Sequence, residues 1–237
     1  MSSRPGHAEL RERALEANLA LVRAGLVVLT FGNASAADRE SGVMAIKPSG
    51  VPYDELDAAA MVLVDLESGA VVGSGHRPSS DTATHLVLYR SFGGVGGVAH
   101  THSPCATAWA QARRELPCFG TTHADHFHGA VPVTRPLTPD ELGPRYEEAT
   151  GDAIVEAVVA RGADPLDVPA ALVCSHGPFT WGVDAAHAVE NAIALEAVAA
   201  MAEHTLKIAA DAGPMDDGLR DRHFRRKHGP TATYGQP

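Results

Sequence analysis

"GGVAHTHSP", residues 96–104, sets two histidines two positions apart, after a Gly/Val run and before a Ser-Pro stop. "VAHTH" reads as a strand. On a strand, residues i and i+2 project from one face with Cα atoms roughly 6.6 Å apart, and two imidazoles can then converge on one ion at about 2.0–2.1 Å. His100 and His102 are therefore one edge of a metal site or two polar groups finishing a strand. An isolated His-x-His pair favours the second.

His176 shifts the balance. "AALVCSH" (170–176) is a buried apolar run ending in histidine, directly before a Gly-Pro stop. Two strands of one sheet that both end in histidine bring three imidazoles to one edge. Asp81, in "PSSD" (78–81), begins the helix preceding the His100 strand. Taken alone, Asp in a first helical turn is a common cap and dipole choice. Three imidazoles and one carboxylate suit Zn²⁺, or another first-row divalent ion.

An anion seat lies in the neighbouring loops "FGNAS" (31–35), "KPSG" (47–50) and "PSSD". Ser79 and Ser80 precede a helix start, where unpaired N–H groups attract phosphate. Ser49 and Gly50 offer a hydroxyl and a close backbone approach, and Lys47 a charge. Ser80 and Asp81 are adjacent, so phosphate and metal would share a wall.

The rest of the chain reads as helices flanking a mixed sheet, an α/β layered single domain over residues 1–237. A helix runs from His7 to Arg23 with Leu10, Ala14, Ala17 and Leu21 on one face, and Gly25 stops it. "LVVLT" (26–30) reads as a strand. "RESG" (39–42) turns into the strand "VMAIK" (43–47), and "MVLVDL" (61–66) pairs with "AVV" (70–72). "SSDTATHLVLYRSF" (79–92) is a capped helix, "VPV" (131–133) a short strand, and "TPDE" (138–141) a capping box. Helices follow near 151–161, ending at Gly162, and over about 184–211.

Composition narrows the function classes. Nineteen Lys+Arg against 29 Asp+Glu give a net charge of -10, which speaks against nucleic acid or an anionic membrane as partner. The three cysteines, Cys105, Cys118 and Cys174, form no Cys-x-x-Cys pair and give no disulfide framework. No apolar run approaches membrane-spanning length, and "MSSRPGHAELRERALEANLA" has no apolar signal core, so a soluble, cytoplasmic protein is expected.

Six blocks then carry a resemblance: "LTFGNASAADRESGVMAIKPSGVPYDEL" (29–56), "RPSSDTATH" (77–85), "VAHTHSPCATAWAQA" (98–112), "GTTHADHFHG" (120–129), "SHGPFTWG" (175–182) and "RKHGPTATYGQ" (226–236). In this order they closely resemble the class II aldolase/adducin family, and within it the sugar-phosphate 4-epimerases. The resemblance implies an α/β/α fold with a central, mostly antiparallel sheet. It also implies a homotetramer with active sites between subunits. Asp81, His100, His102 and His176 fall on metal positions. Asn33, Ser49, Gly50, Ser79 and Ser80 fall on substrate-phosphate positions, with Lys47 beside them. Asp125 and Tyr234 fall on acid/base positions contributed by a neighbouring subunit, and His223 and Glu147 on supporting ones.

The activity so implied interconverts L-ribulose 5-phosphate and D-xylulose 5-phosphate. The C4 hydrogen is not next to the carbonyl, so simple deprotonation gives an unstabilised carbanion. Retro-aldol cleavage of C3–C4 to a dihydroxyacetone enediolate and glycolaldehyde phosphate avoids it. The aldehyde turns, and bond formation restores the ketose with C4 inverted. Aldolase relatives typically carry Glu where this chain has Asp81, which favours the epimerase. The rivals are a fuculose- or rhamnulose-phosphate type aldolase and a non-catalytic adducin-like module. His126 and His128 stand where the family tends to have tyrosines, and Cys174 where a histidine is common. Arabinose and ascorbate catabolism both use this epimerisation, and the sequence leaves the pathway open.

Overall fold

Helix α1 (His7–Arg23) buries Leu10, Ala14, Ala17 and Leu21, one side chain every three or four residues, as the sequence predicts. The computed structural model describes residues 7–73, 75–162, 164–229 and 232. After α1 the chain departs from expectation. "LVVLT" is a loop rather than a strand, with Val28 and Leu29 61% and 77% exposed and Leu29 at φ 55°. Strand β1 instead covers Asn33–Asp38, "NASAAD", a segment poor in strand formers. It is buried on both faces, so small side chains are what it needs. Ala34 and Ala36 join the cluster under α1, and Ala37 joins the cluster on the opposite side.

Five further strands complete one sheet: β2 (Val43–Ile46), β3 (Val62–Asp65), β4 (Gly97–His100), β5 (Ala170–Leu172) and β6 (Pro178–Gly182). Their order is β3-β2-β1-β4-β6-β5 and every pairing is antiparallel. The turn at 39–42 joins β1 to β2 as expected. "AVV" contributes only a single bridge, Val64 to Val71, and "VPV" only isolated bridges through Val131 and Val133.

Helices cover both faces. α1 and the first half of α6 (Ala185–Ile208) pack on one side through Ala and Leu side chains. α2 (Thr82–Ser91) and α5 (Tyr146–Val159) cover the other, where Leu88, Tyr89 and Ile154 meet Met44, Val98 and Trp181. α5 starts five residues earlier than its sequence pattern suggests. The glycines of the opening motif explain how closely α6 approaches β4. A Cβ on Gly97 would lie 2.3 Å from the backbone of Ala185, so only glycine admits that contact.

Three helices remain: α3 (Pro104–Gln111), which packs on α6 and β5, α4 (Thr121–Ala124), which packs on α6, and α7 (Asp217–His228), which packs on α4. The apolar pattern gives no sign of α7, because only Phe224 is buried in it; its marks are the Asp216 cap and the basic last turn. "TPDE" forms the capping box it spells, opening a short 3-10 turn at Pro139–Leu142. Among the described residues no helix is long and apolar enough to cross a membrane, and Cys105, Cys118 and Cys174 are all free.

Candidate metal centre and anion pocket

β4 ends at His100, and its pairing with β6 sets His100 opposite Phe179. His102 lies just past the strand's end. His176 is not a strand end, as the sequence suggests, but sits in the tight turn joining β5 to β6. Its N–H donates to the Val173 carbonyl at 2.9 Å, and Ser175 before it takes φ 61°. The β4–β6 pairing brings that turn beside His100. The three ring centroids form a near-equilateral triangle with sides of 4.9, 4.8 and 5.0 Å. One nitrogen from each ring lies within 4.8 Å of the others.

The His100 tautomer favours metal. His100 Nδ1 donates to the Pro178 carbonyl at 2.9 Å, which leaves its Nε2 with a lone pair. That Nε2 faces Nε2 of His102 at 3.0 Å. The His100 ring is fixed further by stacking on Phe179, with centroids 4.2 Å apart. Burial pushes the His100 pKa down to about 3, against the pull of Asp81, and also lowers those of His102 and His176. All three imidazoles are therefore neutral donors near pH 7. His176 Nδ1 is buried without a partner. Three converging neutral imidazoles fit a divalent first-row ion.

Asp81 is the N-cap residue of α2, yet its side chain makes no cap hydrogen bond. Its Oδ2 accepts from Asn33 Nδ2 at 2.6 Å. Burial works to raise its pKa, but the attraction of His100 and His85 and the Asn33 bond outweigh this and hold the carboxyl below its usual range. The carboxylate is not in the tight three-histidine set, although it lines the same cavity.

That cavity has a volume of about 360 Å³ and takes in Asn33, Lys47, Ser49, Gly50, Ser79, Ser80, Asp81, His100, His102 and His176. All ten residues read from the sequence as metal or phosphate positions thus share one space. The loops at 47–50 and 77–79 run against each other: Ser49 N–H donates to the Arg77 carbonyl and Ser79 N–H to the Lys47 carbonyl, both at 2.9 Å. These N–H groups being spent, Ser49 and Ser79 offer an anion their hydroxyls. Lys47 is 2% exposed, and its Nζ donates to the Val51 carbonyl at 2.7 Å.

The remaining candidates lie elsewhere. Asp125 caps the end of α4, and its carboxylate is held by His223 Nδ1 at 3.1 Å and Arg226 at 3.0 Å. Neither Asp125 nor His223 lines the cavity. Burial opposes its ionisation, but Arg226 and His223 keep the Asp125 carboxyl below the usual range. Glu147 is in the first turn of α5, where its carbonyl accepts from Thr84 Oγ1 at 2.6 Å, also outside the cavity. Tyr234 lies outside the described residues. His126 meets Lys227, His128 binds Asp221 and stacks on Phe224, and Cys174 lies beside Ser175. The sequence does not mark Arg226 as the partner of Asp125, or Pro178 as the residue whose carbonyl orients His100.

Fold and cavity together define an α/β enzyme domain whose pocket can take a metal ion and an anion side by side. The chain belongs to the class II aldolase and adducin family, whose N-terminal domain matches residues 12–202. It is 50% identical over 228 residues to "L-ribulose-5-phosphate 4-epimerase UlaF" of Salmonella paratyphi C (strain RKS4594), covering 96% of this chain and 99% of that protein. The same identity and coverage hold for the protein of that name from Salmonella choleraesuis (strain SC-B67). Among solved structures, an L-fuculose 1-phosphate aldolase superposes with a TM-score of 0.79 at 23% identity, over 95% of this chain and 99% of that one. The L-fuculose-1-phosphate aldolase of Thermus thermophilus gives 0.65 at 22%, over 88% and 100%. These two likenesses carry the fold alone.

Proposed function

We propose that this chain interconverts L-ribulose 5-phosphate and D-xylulose 5-phosphate by breaking and re-forming the C3–C4 bond. The observation that carries this reading is the shared cavity, in which three neutral imidazoles and the serine-bearing loops line one space. Identity of 50% across nearly the full length of a protein named as that epimerase supports it. Asp at position 81, rather than the longer Glu of the aldolase pattern, favours serving a cation over reaching the substrate.

His100, His102 and His176, with Asp81 as the fourth ligand, would hold a divalent ion, zinc in this reading. Such an ion supplies positive charge at the substrate oxygens where negative charge develops as C3–C4 parts. The hydroxyls of Ser49, Ser79 and Ser80 and the open backbone at Gly50 seat the phosphate, with Asn33 Nδ2 holding Ser79 Oγ in place and Lys47 beside them. Held by that group, the two-carbon aldehyde fragment turns without leaving. Asp125, kept ionised by Arg226 and His223, takes the C4 hydroxyl proton on one face, and Tyr234 Oη serves the opposite face. Both come from a neighbouring copy in a homotetramer, with His223 and Glu147 supporting and the cytoplasm as the working compartment.

Incubation of the purified protein with L-ribulose 5-phosphate, alongside metal analysis, tests the reading. D-xylulose 5-phosphate should form without accumulation of glycolaldehyde phosphate. Release of free aldehyde in place of the epimer would make the protein an aldolase. Absence of both metal and turnover would make it a non-catalytic relative.

A further inference from the structure

Tyr53 stands behind the anion pocket, 8% exposed, in a short 3-10 turn that follows Pro52. Its hydroxyl donates to the Gly32 carbonyl at 2.9 Å and reaches the Phe31 carbonyl at 3.2 Å. Its ring lies 4.8 Å from Lys47 Nζ, within cation–π range. Lys47 Nζ completes its contacts with the Val51 carbonyl at 2.7 Å and the Pro48 carbonyl at 3.4 Å. One aromatic side chain therefore touches both jaws of the pocket, the loop leading into Asn33 and the loop carrying Ser49 and Gly50. Burial raises the phenol's pKa, so the hydroxyl keeps the proton it donates.

We propose that Tyr53 is a positioning residue for phosphate recognition. Its hydroxyl pins the 31–32 backbone while its ring holds the Lys47 ammonium, and together these set the spacing between Asn33 and the Ser49–Gly50 turn. The sequence "GVPYDEL" marks Tyr53 only as an aromatic after a proline. The proposal rests on the phosphate seat assigned above, and it adds that the seat's width is fixed from behind, by a residue that never meets the substrate.

Tyr53→Phe keeps the ring and deletes the hydroxyl, and Tyr53→Leu deletes both contacts. The KM for L-ribulose 5-phosphate and the inhibition constant of inorganic phosphate are measured beside kcat, bound metal and Tm, with Ser79→Ala in parallel. For Tyr53→Phe, KM and the phosphate constant should each rise about threefold to tenfold, the worth of one lost hydrogen bond. Tyr53→Leu should raise both further, while kcat stays within about twofold, as loss of uniform binding requires, and metal content is unchanged. A merely structural role would lower Tm and leave KM and phosphate inhibition where they were, and that result overturns the proposal. If Ser79→Ala weakens phosphate and Tyr53→Phe does not, the seat stands and the role of Tyr53 falls. If Ser79→Ala also leaves phosphate binding unaltered, the seat is misassigned and the proposal falls with it. Should Tyr53→Leu fail to fold, Tyr53→Phe alone decides.

Discussion

Nδ2 of Asn33 donates to Oδ2 of Asp81 at 2.6 Å, and the same nitrogen reaches Ser79 Oγ at 3.2 Å. One amide at the start of β1 thus ties the carboxylate of the metal side to a hydroxyl of the anion side. Removing it leaves a half-buried, ionised Asp81 without its donor, a costly state. Asn33→Ala should therefore weaken metal binding by about 10- to 100-fold, the usual effect of losing a group that orients a ligand. It should also raise the KM for the phosphorylated substrate. Zinc titration against a competing chelator measures the first effect. Unchanged affinity would mean that Asp81 orients itself.

The turn that carries His176 is confined by backbone. A Cβ on Gly177 would lie 2.7 Å from the Thr101 carbonyl oxygen and 3.5 Å from His100 Cε1. Gly177→Ala should push the turn away from β4, at a cost of about 1–3 kcal/mol in stability. It should lose metal although no ligand has been changed, and His102→Asn is the control in which a ligand itself is lost. Metal stoichiometry of the two purified variants checks this. A fully loaded Gly177→Ala protein would show that the histidine triangle tolerates displacement.

Tyr234→Phe should cut turnover by about 10²- to 10⁴-fold, the range for loss of a general acid–base group, with bound zinc near stoichiometric. Asp125→Asn should do the same and also release Arg226 and His223 from their shared partner. Steady-state kinetics with metal analysis measures both. Wild-type epimerisation in either variant removes that residue from the reaction.

Acid should destabilise the fold through buried histidines. Burial pushes His85 and His123 each down to about 4, against about 6.5 in the unfolded chain. The folded values are depressed, so the contribution of each is complete above about 6.5 and is lost as pH falls toward 4, because the unfolded chain takes up the protons first. Each group is worth on the order of 3 kcal/mol across that window. His123 Nε2 bonds the Gly129 carbonyl at 2.7 Å, and His123→Gln keeps a donor there. Denaturant unfolding at pH 7 and pH 4.5 should show a smaller loss in His123→Gln than in the parent, by on the order of 2 kcal/mol. Equal losses would show that His123 does not titrate with folding.

What the sequence displays is what is local. α1 is legible because its apolar side chains recur at helical spacing, and the capping box at Thr138 because it needs only four residues. The residues that line the cavity are legible because they cluster at the ends of elements as His, Asp, Ser and Gly. Strand β1 is hidden because a strand buried on both faces beneath close-packed helices selects Ala and Ser over Val and Ile. The "LVVLT" run misleads for the converse reason, since its propensity is for a strand but the sheet begins only at Asn33. α7 and the Arg226 contact with Asp125 escape because they join positions about a hundred residues apart, and no pattern within either segment records the pairing.

Asp125 faces α7 and not the histidine cavity, so the groups proposed to bind metal and the group proposed to move a proton occupy separate regions of one chain. If a working site takes its metal half from one copy and its proton half from another, the two halves can be supplied by different genes. Two alleles that are each inactive, His102→Asn and Tyr234→Phe, would then rescue one another when co-expressed. Random assembly of equally expressed copies would make about a quarter of all sites complete. In genetic terms, the positions around His102 and those around Asp125 would form two complementation groups within a single reading frame.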